Sequence, residues 1–234
     1  MNEMILTHQE THFSSTDLIK DIVIGMSDGL TVPFALAAGL SGALAAKHII
    51  ITAGLSEIIA GSIAMGLGGY LAGQTETDHY KSEMAKEYDE VNTIPDKEKE
   101  EIKELFAAYG FSASSQILLA DELSKDKDKW VKFMMKYELG LEEPDARRAT
   151  KSALNIGLSY IVGGLIPLLP YFFTSNPLYG LKLSAGITLF CLFIFGSFKS
   201  KFTGQPIIKS ALKVTLIGAV AAFAAFWVAK FFGA

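Results

Sequence analysis

Two acidic residues stand inside long apolar stretches of this chain, and an acid in such surroundings is a functional candidate by default. Asp28 lies in Gly25-Met26-Ser27-Asp28-Gly29-Leu30, and Glu57 in Ser56-Glu57-Ile58-Ile59-Ala60-Gly61. A charged acid at the middle of a bilayer costs about 2.5–3.5 kcal/mol on insertion scales. No Lys or Arg within either stretch offers a salt bridge. Acids buried without a cation are suited to taking up and releasing protons. The competing reading is a pair of protonated acids hydrogen-bonded between helices. Met65 follows Glu57 by eight residues with Gly61 midway, and spacings of four place all three on one helix face. Carboxylates with a thioether suit a borderline divalent ion such as Fe²⁺ better than Mg²⁺ or Ca²⁺. Taken alone, a methionine there is core packing. Pro33, five residues past Asp28, frees a backbone carbonyl near the acid. Pro167 and Pro170 read as plain kinks.

A second constellation is crowded where the first is sparse. Glu83, Glu87 and Glu90 are spaced i, i+4, i+7 and share one helix face. Glu98 and Glu101 are spaced i, i+3, and Glu138 follows Met134 and Met135 by four and three residues. Three helices could each offer carboxylates to a shared centre, where a bound cation would relieve the repulsion between them. The same residues could equally form a solvated acidic face.

The four histidines do not cluster in sequence. His8 and His12 are four apart in the N-terminal tail, a weak metal signal, and His48 lies in a short loop. Glu76-x-x-His79 matches half of a ferritin-like di-iron motif, without a second copy. No Walker motif or nucleophile elbow is present, so neither ATP-driven pumping nor an enzymatic activity is expected.

The elements that must carry these residues follow from composition. All 25 acids lie between Glu3 and Asp145, and the last 89 of the 234 residues contain none. Half the chain is hydrophobic, and mean hydropathy is +0.31. That segregation excludes an ordinary soluble domain, a disordered chain and a coiled coil. A net charge of −4 argues against nucleic acid as a partner. The single cysteine, Cys191, excludes a disulfide framework and a cysteine-based zinc site.

Five apolar stretches, about Ile22–Ala46, Ile49–Gly73, Ala153–Phe173, Leu178–Phe198 and Leu212–Phe232, are each long enough to cross a bilayer. Glycines are frequent in the second, and Gly69-x-x-x-Gly73 is a close-packing spacing, within a bundle or between subunits. Between the second and third stretches, Glu76–Asp145 carries 19 acids and 10 lysines, a net of −9. Its pattern is helical. Pro95 ends the first segment, Asp96–Tyr109 is capped by Gly110, and Ser112–Ser124 and Asp128–Leu139 follow, the last stopped by Gly140 and Pro144. The expected architecture is all-α. A polar tail (1–16) without a signal peptide precedes transmembrane helices 1–2 (17–75), a helical insert (76–150) and transmembrane helices 3–5 (151–234). With the N-terminus and insert on one side, that side holds 18 Lys/Arg and the other 3. The positive-inside rule then makes the tail and insert cytoplasmic and puts the C-terminus opposite.

Two segments carry a likeness to a known family. Ser27-Asp28-Gly29-Leu30-Thr31-Val32-Pro33-Phe34-Ala35-Leu36-Ala37-Ala38-Gly39-Leu40-Ser41-Gly42 closely resembles the first-span signature of the vacuolar iron transporter family. Met134-Met135-Lys136-Tyr137-Glu138-Leu139-Gly140-Leu141 resembles that family's Met-Met-x-x-Glu-Leu-Gly-Leu motif. The likeness covers the chain from about Asp17 onward. It implies a homodimeric, proton-coupled exporter of cytosolic Fe²⁺, and often Mn²⁺, into a vacuole or out of the cytoplasm. It further implies that Asp28, Glu57 and Met65 line the transport path. Glu87, Glu90, Glu98, Glu101 and Glu138, with Met134 and Met135, would bind metal in the insert. Glu83 receives no role from it. One departure is Phe111–Leu119, acid-free where relatives often carry glutamates.

The expectation is therefore a divalent metal/proton antiporter for iron and manganese homeostasis. Zn²⁺ and Co²⁺ are further candidate substrates, and no tightly bound cofactor is expected. Its membrane would be the plasma membrane of a prokaryote or a vacuolar or other endomembrane of a eukaryote. The alternative is a membrane-anchored iron-binding or ferroxidase protein that moves nothing. A passive channel is a third option.

Overall fold

A computed structural model describes residues 16–232. The tail with His8 and His12 lies outside the described residues. Among those described the chain is all-α, as the sequence predicts: α1 (Thr16–Gly42), α2 (Lys47–Thr93), α3 (Pro95–Ala108), α4 (Ala113–Leu123), α5 (Lys127–Tyr137), α6 (Arg148–Phe173), α7 (Pro177–Thr203) and α8 (Ile207–Phe232). Five of these, α1, α2, α6, α7 and α8, are long and apolar enough to cross a membrane.

The described residues form two compact units. One runs to Tyr70 and resumes at Thr150; the other is Leu71–Ala149. Helix α2 belongs to both. The sequence reads as an apolar span ending near Gly73 and a separate charged helix, but the backbone is one helix of 47 residues. No proline or turn residue interrupts it where the composition changes. Thr75 and Thr77 turn their hydroxyls back onto the carbonyls of Leu71 and Gly73, so they do not break the helix. It ends where Pro95 takes the first position of α3, the place where a missing N–H costs nothing.

In the membrane unit, small residues let the helices approach closely. A Cβ on Gly69 would lie 2.6 Å from Ile156 Cδ1, and one on Gly29 would lie 2.4 Å from the Tyr160 carbonyl oxygen. Gly69 therefore serves packing within the bundle, against α6. Ser41, fully buried on α1, meets the Tyr171 hydroxyl of α6 at 3.0 Å, and Ser184 donates to the Pro167 carbonyl at 2.7 Å.

The second unit has its own core of Tyr80, Val91, Ile102, Ala120, Trp130, Val131, Met134 and Met135. Its helices are ended by local chemistry. Ser112 and Asp126 cap α4 and α5 by accepting from the Ser115 and Lys129 amides. Gly110 and Gly140 adopt φ of +83° and +65° just beyond α3 and α5, as helix-terminating glycines do. Helix α5 stops at Tyr137, two residues before the sequence pattern ends, and Glu138 is its C-cap.

Candidate functional site

Candidate residues gather in two places, one in each unit. In the membrane unit, Asp28 on α1 and Glu57 on α2 are both half-buried. The Tyr160 hydroxyl of α6 donates to Glu57 Oε1, while Glu57 Oε2 is buried without a hydrogen-bond partner. Gly61 explains how the ring fits: a Cβ there would fall 2.5 Å from the Tyr160 hydroxyl. Gly29, next to Asp28, packs on the Tyr160 backbone. The Tyr160 backbone thus meets the residue after Asp28, while its hydroxyl meets Glu57. Met65 lies two turns beyond Glu57, also half-buried. Glu57 borders an open groove of about 460 Å³ along α1 and α8, lined by Thr31, Ala35, Gly39, Ala221 and Ala225. An acid in the wall of an otherwise apolar groove within a membrane span is placed to meet a cation or proton.

Sequence reasoning missed two members of this region. Tyr160 gave no signal, since its partner is 103 residues away. Asp21 lies seven residues before Asp28, two helical turns earlier on the same face, and is 2% exposed. Ser152 donates to its Oδ1 at 3.0 Å, and Asn155 Nδ2 lies 3.4 Å from its Oδ2. That spacing from Asp28 was the available clue.

In the second unit, α2 supplies Glu87 and Glu90, α3 supplies Glu98 and Glu101, and the end of α5 supplies Glu138. Glu87 and Glu98 are 5% and 2% exposed, and the Oε2 atom of each is buried without a hydrogen bond. Burial pushes the Glu87 carboxyl up to about 7, helped by the charges of Glu138, Glu98, Glu90 and Glu101. Burial pushes Glu98 up to about 7 as well, with Glu101, Glu90 and Glu138 adding to it. Glu138 is raised by partial burial and by Glu101 and Glu90. All five glutamates therefore share one electrostatic field. Met134 and Met135 are buried on α5, one turn or less before Glu138.

As they stand, no three His, Cys, Asp or Glu side chains among the described residues are arranged to enclose a metal ion. Mutual repulsion disfavours a closer approach of ionised carboxylates without a cation. Glu101 is held by Lys97, whose Nζ is 2.9 Å from Oε1. Glu83 faces other partners, with Lys86 at 2.6 Å and His79 at 3.9 Å. Glu76, His79 and His48 are exposed.

The fold and sites together define a polytopic α-helical membrane protein with acids inside its spans and a carboxylate-rich helical unit. This class has a name: the chain belongs to the VIT family, which it matches over residues 19–230. It is 52% identical to a vacuolar iron transporter of Centaurea cyanus over 223 residues, 95% of this chain and 91% of the relative. Vacuolar iron transporter 1 of Oryza sativa subsp. japonica is 49% identical over 223 residues, covering 95% and 88%. Protein CCC1 of Saccharomyces cerevisiae is 42% identical over 235 residues, covering 94% and 71%.

Proposed function

We propose that this chain is a divalent metal transporter that moves Fe²⁺, with Mn²⁺ as a second substrate, out of the cytosol in exchange for protons. The names of its relatives support iron as cargo. The observation that carries the exchange mechanism is Glu57. Tyr160 fixes one carboxylate oxygen and leaves the other buried and without a hydrogen bond, open to a proton or a metal ion. A carboxylate must be deprotonated to bind metal, so proton arrival from the acidic side would displace the ion there. Asp28 is the second station beside Tyr160, and Met65 adds a soft ligand on the Glu57 face.

The five glutamates with Met134 and Met135 are the capture site. Crowding makes them take up positive charge, and carboxylate with thioether suits Fe²⁺ and Mn²⁺. With the insert and N-terminus cytoplasmic, as the lysine bias supports, capture would occur on the cytosolic side. A homodimer would cover the open groove beside Glu57. The ferroxidase alternative finds little support, since Glu76 and His79 are exposed and His79 lies toward Glu83. Proteoliposome flux with Glu57→Gln tests the proposal. Fe²⁺ uptake should disappear while binding by the insert persists, and undiminished uptake would refute it.

A further inference from the structure

Five glutamates carry more negative charge than one divalent ion neutralises, and α3 brings a cation of its own. Lys97 Nζ lies 2.9 Å from Glu101 Oε1. Its field also reaches Glu98, Glu90 and Glu138. The neighbouring lysines hold other partners: Lys86 with Glu83 at 2.6 Å, Lys99 with Asp121 at 3.1 Å, and Lys103 with Glu100 at 2.8 Å. Helix formation would not select a lysine here. Lys97 sits in the first turn of α3, where positive charge opposes the helix dipole. A lysine four residues before a glutamate is also the less favourable order for a helical pair.

We propose that Lys97 is a built-in counter-ion of the glutamate cluster, holding Glu101 while the cluster is metal-free and giving way when a divalent ion takes that carboxylate. This rests on the reading of the cluster as the capture site. The Lys97 side chain is 68% exposed on a flexible stem, so it can swing into water and be solvated there. Its ammonium competes with the ion for Glu101 and repels it at short range. The affinity is thereby lowered and release is quickened, as a site that must hand its ion on requires.

The test uses the full chain in detergent with Trp227→Phe, which leaves Trp130 as the single indole. Trp130 precedes Met134 by one helical turn on the same face, so Co²⁺ in the cluster quenches its emission. Co²⁺ is titrated at a pH above the range where Glu87 and Glu98 titrate. Lys97→Gln should bind roughly three- to tenfold more tightly and release Co²⁺ more slowly by a like factor. Lys97→Arg keeps the charge and should stay at wild-type affinity or below. Equal affinity for Lys97→Gln and wild type, with both weakened by Glu98→Gln, overturns the counter-ion role and leaves the capture site standing. Trp130 emission that Co²⁺ does not alter in the wild type overturns the capture reading, and this inference with it.

Discussion

Glu57 and Glu98 are both glutamates with a buried carboxylate oxygen that finds no hydrogen bond, yet their surroundings differ in kind. Glu57 stands in an apolar span with a neutral hydroxyl on its other oxygen. Glu98 stands among four other glutamates, Glu87, Glu90, Glu101 and Glu138, and one lysine. A lone acid in a membrane span has one choice, proton or cation, and its neighbours fix which oxygen is offered. A crowd of acids behaves as a reservoir, where each charge raises its neighbours' demand for any cation. On the proposed function, the two regions would have different tasks: exchange at Glu57, and graded capture at the insert.

Breaking the lone acids should have the largest effect. Glu57→Gln should abolish metal flux while leaving folded protein and insert binding intact, measured by vesicle uptake beside Co²⁺ titration. Loss of both together would mean the regions are not separable. Tyr160→Phe removes the donor to Glu57 and should lower flux by about ten- to hundredfold, the usual cost of losing a group that orients a ligand. An accompanying shift in the pH dependence of flux would separate this from misfolding.

In the crowd, a single loss should matter less. Glu87→Gln or Glu98→Gln should weaken Co²⁺ binding by roughly tenfold. Flux should fall at low metal and recover when metal is raised. If it stays low at saturating metal, the insert does more than capture.

The smallest effect is on stability. Glu87 and Glu98 are raised from 4.5 to about 7, so between those values the folded unit holds protons that the unfolded chain has lost. The contribution of these two groups to the stability of the metal-free insert is then full below about 4.5 and is lost as pH rises to about 7. Melting followed by Trp130 emission should show this decline. Glu98→Gln should flatten it and added Mn²⁺ should offset it, whereas a melting point that rises over this range would contradict the crowding account.

What was legible in the sequence follows the same division. Asp28 and Glu57 stand out because an acid in an apolar run is rare, and the five spans because apolar length is a local property. Pro95, Gly110 and Gly140 mark helix ends through backbone chemistry that acts within a few residues. Tyr160 is invisible by contrast, since a tyrosine in a span is unremarkable until folding brings it to Glu57. The continuity of α2 is hidden because hydropathy changes near Gly73 while helix propensity does not. Glu83 looks equal to Glu87 by periodicity, and the placement of Lys86 and His79 sets it apart in the structure. Lys97 reads as one lysine among the 10 of the block.

The central claim is that the acids of the spans exchange metal for protons. Fe²⁺ uptake into sealed proteoliposomes, with a pH dye in the lumen, tests it most directly for the wild type and Asp28→Asn. The account predicts metal uptake coupled to lumenal alkalinisation, both lost in Asp28→Asn. Uptake without any pH change, or normal flux in Asp28→Asn, would contradict it.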